Sequence, residues 1–379
     1  MSKPNKKKQP IRPEDIPYGG NYIRLSLLEL AFVIPLTLIL AFRVFPSMYA
    51  KSEKFDFDSV ANFRLKSDMR DNYWAYERWA AHAAENYEVI FIGDSVIWGM
   101  YADNDSTLPA FYNQLRGGKV AANLGIDGLH PVAMERLLRS FGAPIQNKKV
   151  YLYFNALWMN DPKYDLSGLL QRDRNGDLES FTPMHPRLLP QFDRSIHVYN
   201  ENMRRRIGNV LEQQIPMYSL LNHIRGVWYE NKPLPAWMTD NPDRLNPFSA
   251  IGSVVSAAEV ERLTRNVAWN SGMTVDTAFN WVMPYQSRQW EAFKSVCELL
   301  AERGNEVTVI AGVFNTYMLT NENAKVYERL LSIVEDELDE LGIKYILLDD
   351  VVGEDEFGDA SHPLVAGYEA MAETIIDEE

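Results

Sequence analysis

Apolar positions along the chain fall into short continuous runs separated by longer stretches of helical period. Glu88-Val-Ile-Phe-Ile92 is rich in β-branched and aromatic residues, follows a helix-like stretch over about 68–85, and stops at Gly93. Such a run predicts a buried strand. Lys119 to Asn123 and Val150 to Phe154 repeat the pattern, and Val307 to Ala311 and Tyr345 to Leu348 repeat it again late in the chain. Segments long enough for crossover helices lie between them, including about 132–141 and a charged run over about 322–341. Alternation of this kind predicts a parallel sheet with helices on both faces.

From Asp161 to about Met283 the alternation stops. Prolines at positions 183, 186, 190, 233, 235, 242 and 247 interrupt two or three helical runs. One run, Ser195 to Gln214, carries Arg204-Arg205-Arg206, which reads as a solvated helix face. Ser256 with Glu259 three residues on has the form of a capping box. Residues 161–283 are therefore expected to form an insertion or cap within the α/β domain.

The amino terminus has a third pattern. Between Arg24 and Arg43 lies LSLLELAFVIPLTLILAF, 18 mostly apolar residues, preceded by Lys3, Lys6, Lys7, Lys8 and Arg12. As a helix that run spans roughly 27 Å, against about 30 Å for a bilayer core. The alternative is a buried core helix, but the basic leader fits a positive-inside anchor. Glu29 and Pro35 are tolerable in such a span. Met48-Tyr49-Ala50 offers only one small residue before a cleavage point, so retention is expected. The expected division is 1–50 as cytoplasmic leader and single-pass anchor and 51–379 as a domain outside the cytoplasm.

Composition narrows the function classes. Hydrophobic residues at 46% and charged residues at 24% fit a folded protein rather than a disordered one. A net charge of −14 disfavours a duplex nucleic-acid partner, which requires a basic face. The single cysteine, Cys297, has no disulfide partner within the chain and sits in a helical run over about 290–300, as a packing residue would. No zinc-type Cys/His spacing or P-loop occurs, so neither metal nor organic cofactor is expected.

Candidate chemistry gathers where strands end. Ser95 comes directly after the first run, in GDSVIWG, and the carboxyl ends of parallel strands line the crevice of an open α/β sheet. A nucleophilic serine requires a base, an orienting acid and an oxyanion hole. Of six histidines, two lie in an Asp-x-x-His-Pro segment after a strand candidate: Asp127 to Pro131 and Asp359 to Pro363. His82, His185, His197 and His223 lack such an acid and read as surface or packing residues.

GDSVIWG at 93–99, NLGIDG at 123–128, and DASHP at 359–363 with Gly367-Tyr368 just beyond resemble, in order, three blocks of the SGNH/GDSL hydrolase superfamily. The likeness covers about 87–140 and 307–379. It implies a three-layer, flavodoxin-like α/β fold, here with a large mostly helical insertion and an N-terminal transmembrane helix. It further implies Ser95 as nucleophile and oxyanion donor, Gly128 as second donor, His362 as base and Asp359 as its orienter. The third block departs from the family: YLYFNALWMND offers Asn155 as side-chain donor, with Asn160 as the alternative, and no glycine at the usual spacing. Asp94, His130, Trp98, Trp158 and Asn315 are candidate substrate contacts, and Tyr317 a further pocket wall.

A membrane-anchored domain of this kind resembles bacterial cell-envelope proteins that add or remove acyl groups, often acetyl, on polysaccharides. The expected partners are the membrane, an acylated glycan or other ester, and an envelope protein complex. The alternatives are a lipid esterase or thioesterase, and a non-catalytic scaffold binding glycan or protein through a degenerate domain of the same fold.

Overall fold

The computed structural model describes residues 20–168, 183–193, 202–243, 246, 252–261, 264–265, 267–272 and 276–379. The chain divides into two compact units, Met1–Lys51 and Ser52–Glu379.

The first unit is helical from Gly20. Helix α1 spans Gly20–Ile39, a π turn comes next over Leu40–Val44, and a further helical segment, Phe45–Ser52, continues the run. The stretch Ser26–Ser52, 27 residues whose most apolar 18-residue window has a mean hydropathy of 2.2, is long and apolar enough to cross a membrane. At 1.5 Å per residue it reaches ~40 Å, so the helix outruns the 18 apolar residues that mark it in the sequence. Leu28, Phe32, Val33 and Leu36 stand exposed along it.

In the second unit five strands form one parallel sheet: β1 (Val89–Ile92), β2 (Ala121–Asn123), β3 (Lys149–Tyr153), β4 (Glu306–Ala311) and β5 (Lys344–Leu347). Their spatial order is 2-1-3-4-5. Ile90 lies opposite Ala122 on one side and Val150 on the other, which fixes the register of the central strand. The three inner strands β1, β3 and β4 are apolar on both faces, as a sheet covered by helices on both sides must be. Ile90, Ile92, Val150, Leu152 and Val309 pack into one core with α2 (Tyr73–Asn86), α5 (Pro131–Phe141), α8 (Arg288–Glu302) and α9 (Asn321–Leu341). Phe91, Tyr151, Tyr153 and Ile310 pack into the other with α4 (Leu108–Leu115) and α10 (Val365–Asp377). The order reverses across β1, and at such a switch point the strand ends splay to open a crevice. The one-turn helix α3 (Ser95–Trp98) begins at that point.

Between Tyr153 and Glu306 the described chain leaves the sheet. It forms α6 (Met203–Gln214), α7 (Pro216–Tyr229) and a short helix, Leu234–Asp240. Val254–Val255 pairs in parallel with Lys54–Phe55. The arginine triplet lies in the first turn of α6, capped by Asn202, and the start of the expected run at Ser195 falls outside the described residues. No helix begins at Ser256. The Glu259 carboxylate that would complete the capping box instead accepts N–H bonds from Ser67, Val260 and Glu261. Cys297 is fully buried in α8, where desolvation pushes its thiol up to about 12.

Candidate active site

Strand β1 delivers Asp94 and Ser95 to the crevice. Asp94 caps α3, its Oδ1 accepting the Val96 N–H at 3.0 Å. Gly99, at φ +95°, ends the helix after one turn in a conformation that disfavours a side chain. A buried Arg64 then clamps that end, donating to the carbonyls of Trp98, Gly99 and Ala102. Desolvation lowers its guanidinium to about 10, partly countered by Glu259. The nucleophile candidate therefore sits on a turn fixed at both ends.

Ser95 Oγ lies 2.7 Å from His362 Nε2. On the other side of the ring, Nδ1 is 2.8 and 2.9 Å from the two oxygens of Asp359. The loop that carries this pair is held by its own backbone: Asp359 Oδ1 accepts the N–H groups of Ser361 and His362 at 3.0 and 3.1 Å. Burial opposes the charge on Asp359, but His362, the Ser361 N–H and the Tyr101 hydroxyl outweigh it and hold the carboxyl down at about 2. Burial likewise opposes protonation of His362; Asp359 first, then Asp94 and Asp127, reverse the balance and move its pKa above the ordinary histidine value.

Of the donor candidates, Asn155 is tied to Asp94, the neighbour of Ser95. The N–H groups of Ser95 and Gly128 bond to no acceptor among the described residues. Gly128 stands at φ +74°, and a Cβ there would fall 2.5 Å from Met184 Cε. Asn155 caps the turn after β3 by accepting the Leu157 N–H, and donates from Nδ2 to Asp94 Oδ2 at 2.8 Å. That bond ties it one residue from Ser95, and its second amide hydrogen has no acceptor among the described residues. Asn160, by contrast, is buried, its Oδ1 without a hydrogen-bond partner among the described residues, and lines a neighbouring cleft.

Several expected substrate contacts take other positions. Asp94 is buried, spending its carboxylate on Val96, Asn155 and the Trp158 indole; desolvation raises its pKa, partly offset by those bonds. Trp98 points into the core, donating to the Leu65 carbonyl at 2.7 Å beneath the Arg64 guanidinium. Asn315 is fully buried and braces the loop by donating to the Asp359 carbonyl at 3.1 Å. His130 is buried against the Trp158 ring and caps α5, accepting the Ala133 N–H at Nδ1, while Nε2 meets the Met184 carbonyl. Trp158 does reach the surface: it lines a cleft of about 540 Å³ with Asn160, Asp161, Tyr164 and Phe279. Tyr317 is half exposed.

Two supporting residues carry no clear mark in the sequence. Tyr101 donates its hydroxyl to Asp359 Oδ2 at 2.8 Å and sets its ring edge-on to His362. Its sole sequence signal is an aromatic two residues beyond Gly99. His185, expected to be a packing or surface residue, bridges Asp71 and the Asp127 carbonyl. Among the described residues no group of His, Cys, Asp and Glu is placed to hold a metal ion.

No protein-family model matches the chain, and no curated protein matches it. Among solved structures the chain is similar to a carbohydrate acetylesterase family member from Sinorhizobium meliloti, at 10% identity and a TM-score of 0.33, over 77% of this chain and 96% of that one.

Proposed function

We propose that the protein is a serine-dependent acyl ester hydrolase or O-acyltransferase, held at a bacterial membrane by its N-terminal helix and acting outside the cytoplasm. The hydrogen-bonded series Ser95 Oγ, His362 Nε2, His362 Nδ1 and Asp359 carries the reading. A binding surface has no use for a serine hydroxyl aligned with a hydrogen-bonded Asp–His pair, whereas a nucleophile requires it.

Ser95 Oγ attacks the ester carbonyl carbon while its proton passes to His362 Nε2. The carbonyl π pair moves onto oxygen, where the N–H groups of Ser95 and Gly128 and the Asn155 amide meet it. Collapse expels the alcohol, which takes the proton from His362, and leaves an acyl-serine. Water or an acceptor hydroxyl then repeats the sequence in reverse, giving hydrolysis or transfer. Asp359 keeps the ring in the required tautomer and stabilises its charge.

For the substrate we infer an O-acyl group, acetyl among them, on an envelope polysaccharide. The cleft beside Trp158 supports this, because aromatic rings flanked by an amide and a carboxylate suit the apolar face and hydroxyls of a sugar. The test is labelling of the full chain with a fluorophosphonate probe, beside Ser95→Ala and His362→Ala. Labelling lost in both folded variants supports the reading. Absence of labelling in the folded wild type rejects it in favour of a binding scaffold.

A further inference from the structure

The geometry points to His185 and Asp71 as a second Asp–His pair, one that positions the Asp127–Gly128 peptide as an oxyanion donor. The inference rests on the serine acyl-transfer reading. His185 Nε2 donates to the Asp127 carbonyl at 2.9 Å, and Nδ1 lies 3.2 Å from Asp71 Oδ1. Carbonyl and N–H of a trans peptide point in opposite directions. Pinning the Asp127 oxygen to His185 therefore aims the Gly128 N–H away from it, and that N–H has no acceptor among the described residues.

The pinning matters because a peptide beside glycine has little intrinsic resistance to flipping, which would turn the carbonyl toward the oxyanion and the donor away. Three further features hold the arrangement. Met184 packs over Gly128, His130 Nε2 bonds to the Met184 carbonyl at 3.1 Å, and Arg70 pairs with the Asp127 carboxylate at 2.9 Å. His185 itself is a non-glycine residue at φ +50°, a conformation found where surrounding contacts over-determine the backbone. The imidazole is buried, and Asp71 is braced by the Tyr73 hydroxyl at 3.1 Å. A donor on the carbonyl also strengthens the N–H of the same peptide, as in other hydrogen-bond chains.

His185 is thus a positioning residue that acts through the Gly128 peptide. The test uses the full chain with an aryl acetate and its thionoacetate counterpart, comparing wild type, His185→Leu, His185→Gln, Asp71→Asn and Ser95→Ala. Sulfur accepts hydrogen bonds poorly, so the rate ratio between the two esters reports on the oxyanion donors. His185→Leu is expected to lower kcat roughly 10- to 100-fold, less than complete loss of a donor, with KM little changed and the oxo-to-thiono ratio reduced. His185→Gln, which retains an N–H at that position, restores most of both, and Asp71→Asn falls between. Wild-type kcat and ratio in folded His185→Leu overturn the proposal, as does an equal loss on both esters. If His185→Leu does not fold, the same ratio in His185→Gln and Asp71→Asn decides: a wild-type ratio in Asp71→Asn overturns the pair. Failure of the underlying reading shows separately, as turnover retained in Ser95→Ala.

Discussion

The segments Asp127 to Pro131 and Asp359 to Pro363 have the same spacing and opposite fates. In the second, the carboxylate and imidazole face each other and the ring reaches Ser95. In the first, Asp127 turns to Arg70 and His130 turns inward. The cause is where the next helix starts. Pro131 is the first residue of α5, so His130 is that helix's N-cap and its ring nitrogen is drawn onto the Ala133 N–H. After Pro363 the chain runs on to Leu364 before α10 starts, so His362 has no capping duty. Its loop is closed instead by the Gly358 N–H bond to the His362 carbonyl at 2.9 Å. An Asp-x-x-His spacing permits a dyad, and the position of the adjoining helix decides whether one forms.

The sharpest way to break this contrast is to remove each imidazole in turn. His362→Ala is expected to lower kcat on an aryl ester by about six orders of magnitude, the scale seen when a triad loses its working base. His130→Ala should cost no more than the roughly tenfold to hundredfold of a positioning residue, since that ring reaches the site only through the Met184 carbonyl. Equal losses in steady-state assays on both folded variants would erase the distinction.

Removing the side-chain donor comes next in size. Asn155→Ala should reduce kcat about a hundredfold to a thousandfold, with KM nearly constant, because the lost bond forms only as charge develops on the carbonyl oxygen. Asn160→Ala supplies the control: a similar loss there would move the donor to the alternative asparagine.

A smaller effect appears in the pH profile. The base works only when neutral, and the Asp359 carboxylate moves the His362 pKa upward. The rising limb of kcat/KM against pH should therefore have its midpoint above the ordinary value of about 6.5. In Asp359→Asn the main opposing influence is gone, burial weighs more heavily, and the midpoint should move down. A midpoint unmoved by that substitution would mean that another group sets the limb.

The sheet was legible because its inner strands are buried on both faces and so appear as apolar runs bounded by turn residues. Ser95 and His362 were legible because each lies in a short turn next to such a run. What escaped depended on distant partners. His185 and Asp71 are 114 residues apart, and nothing local marks either. Glu259 has the spacing of a helix cap, yet Ser67, 192 residues away, claims its carboxylate. Trp98 and Trp158 are indistinguishable in sequence as aromatics beyond strand ends; the rotation of a one-turn helix puts one beneath Arg64 and leaves the other beside the cleft.

The smallest expected effect tests the inward-facing segment on its own terms. Full burial disfavours the charged form of His130 and lowers its pKa to about 4, against 6.5 in an unfolded chain. Below 6.5 the unfolded chain takes up a proton that the folded protein resists, so unfolding gains ground as pH falls from there toward 4. The stabilising contribution of a neutral His130 is thus complete above 6.5 and drains away through that window. His130→Asn keeps a favoured N-cap but has no proton to gain, so it should flatten this part of the stability curve while remaining more stable near neutrality than His130→Ala, which lacks the cap and sacrifices ~1 kcal/mol for it. Denaturant midpoints for the three proteins from pH 7 to 4 would show this, and an unchanged slope in His130→Asn would mean that the acid sensitivity arises elsewhere.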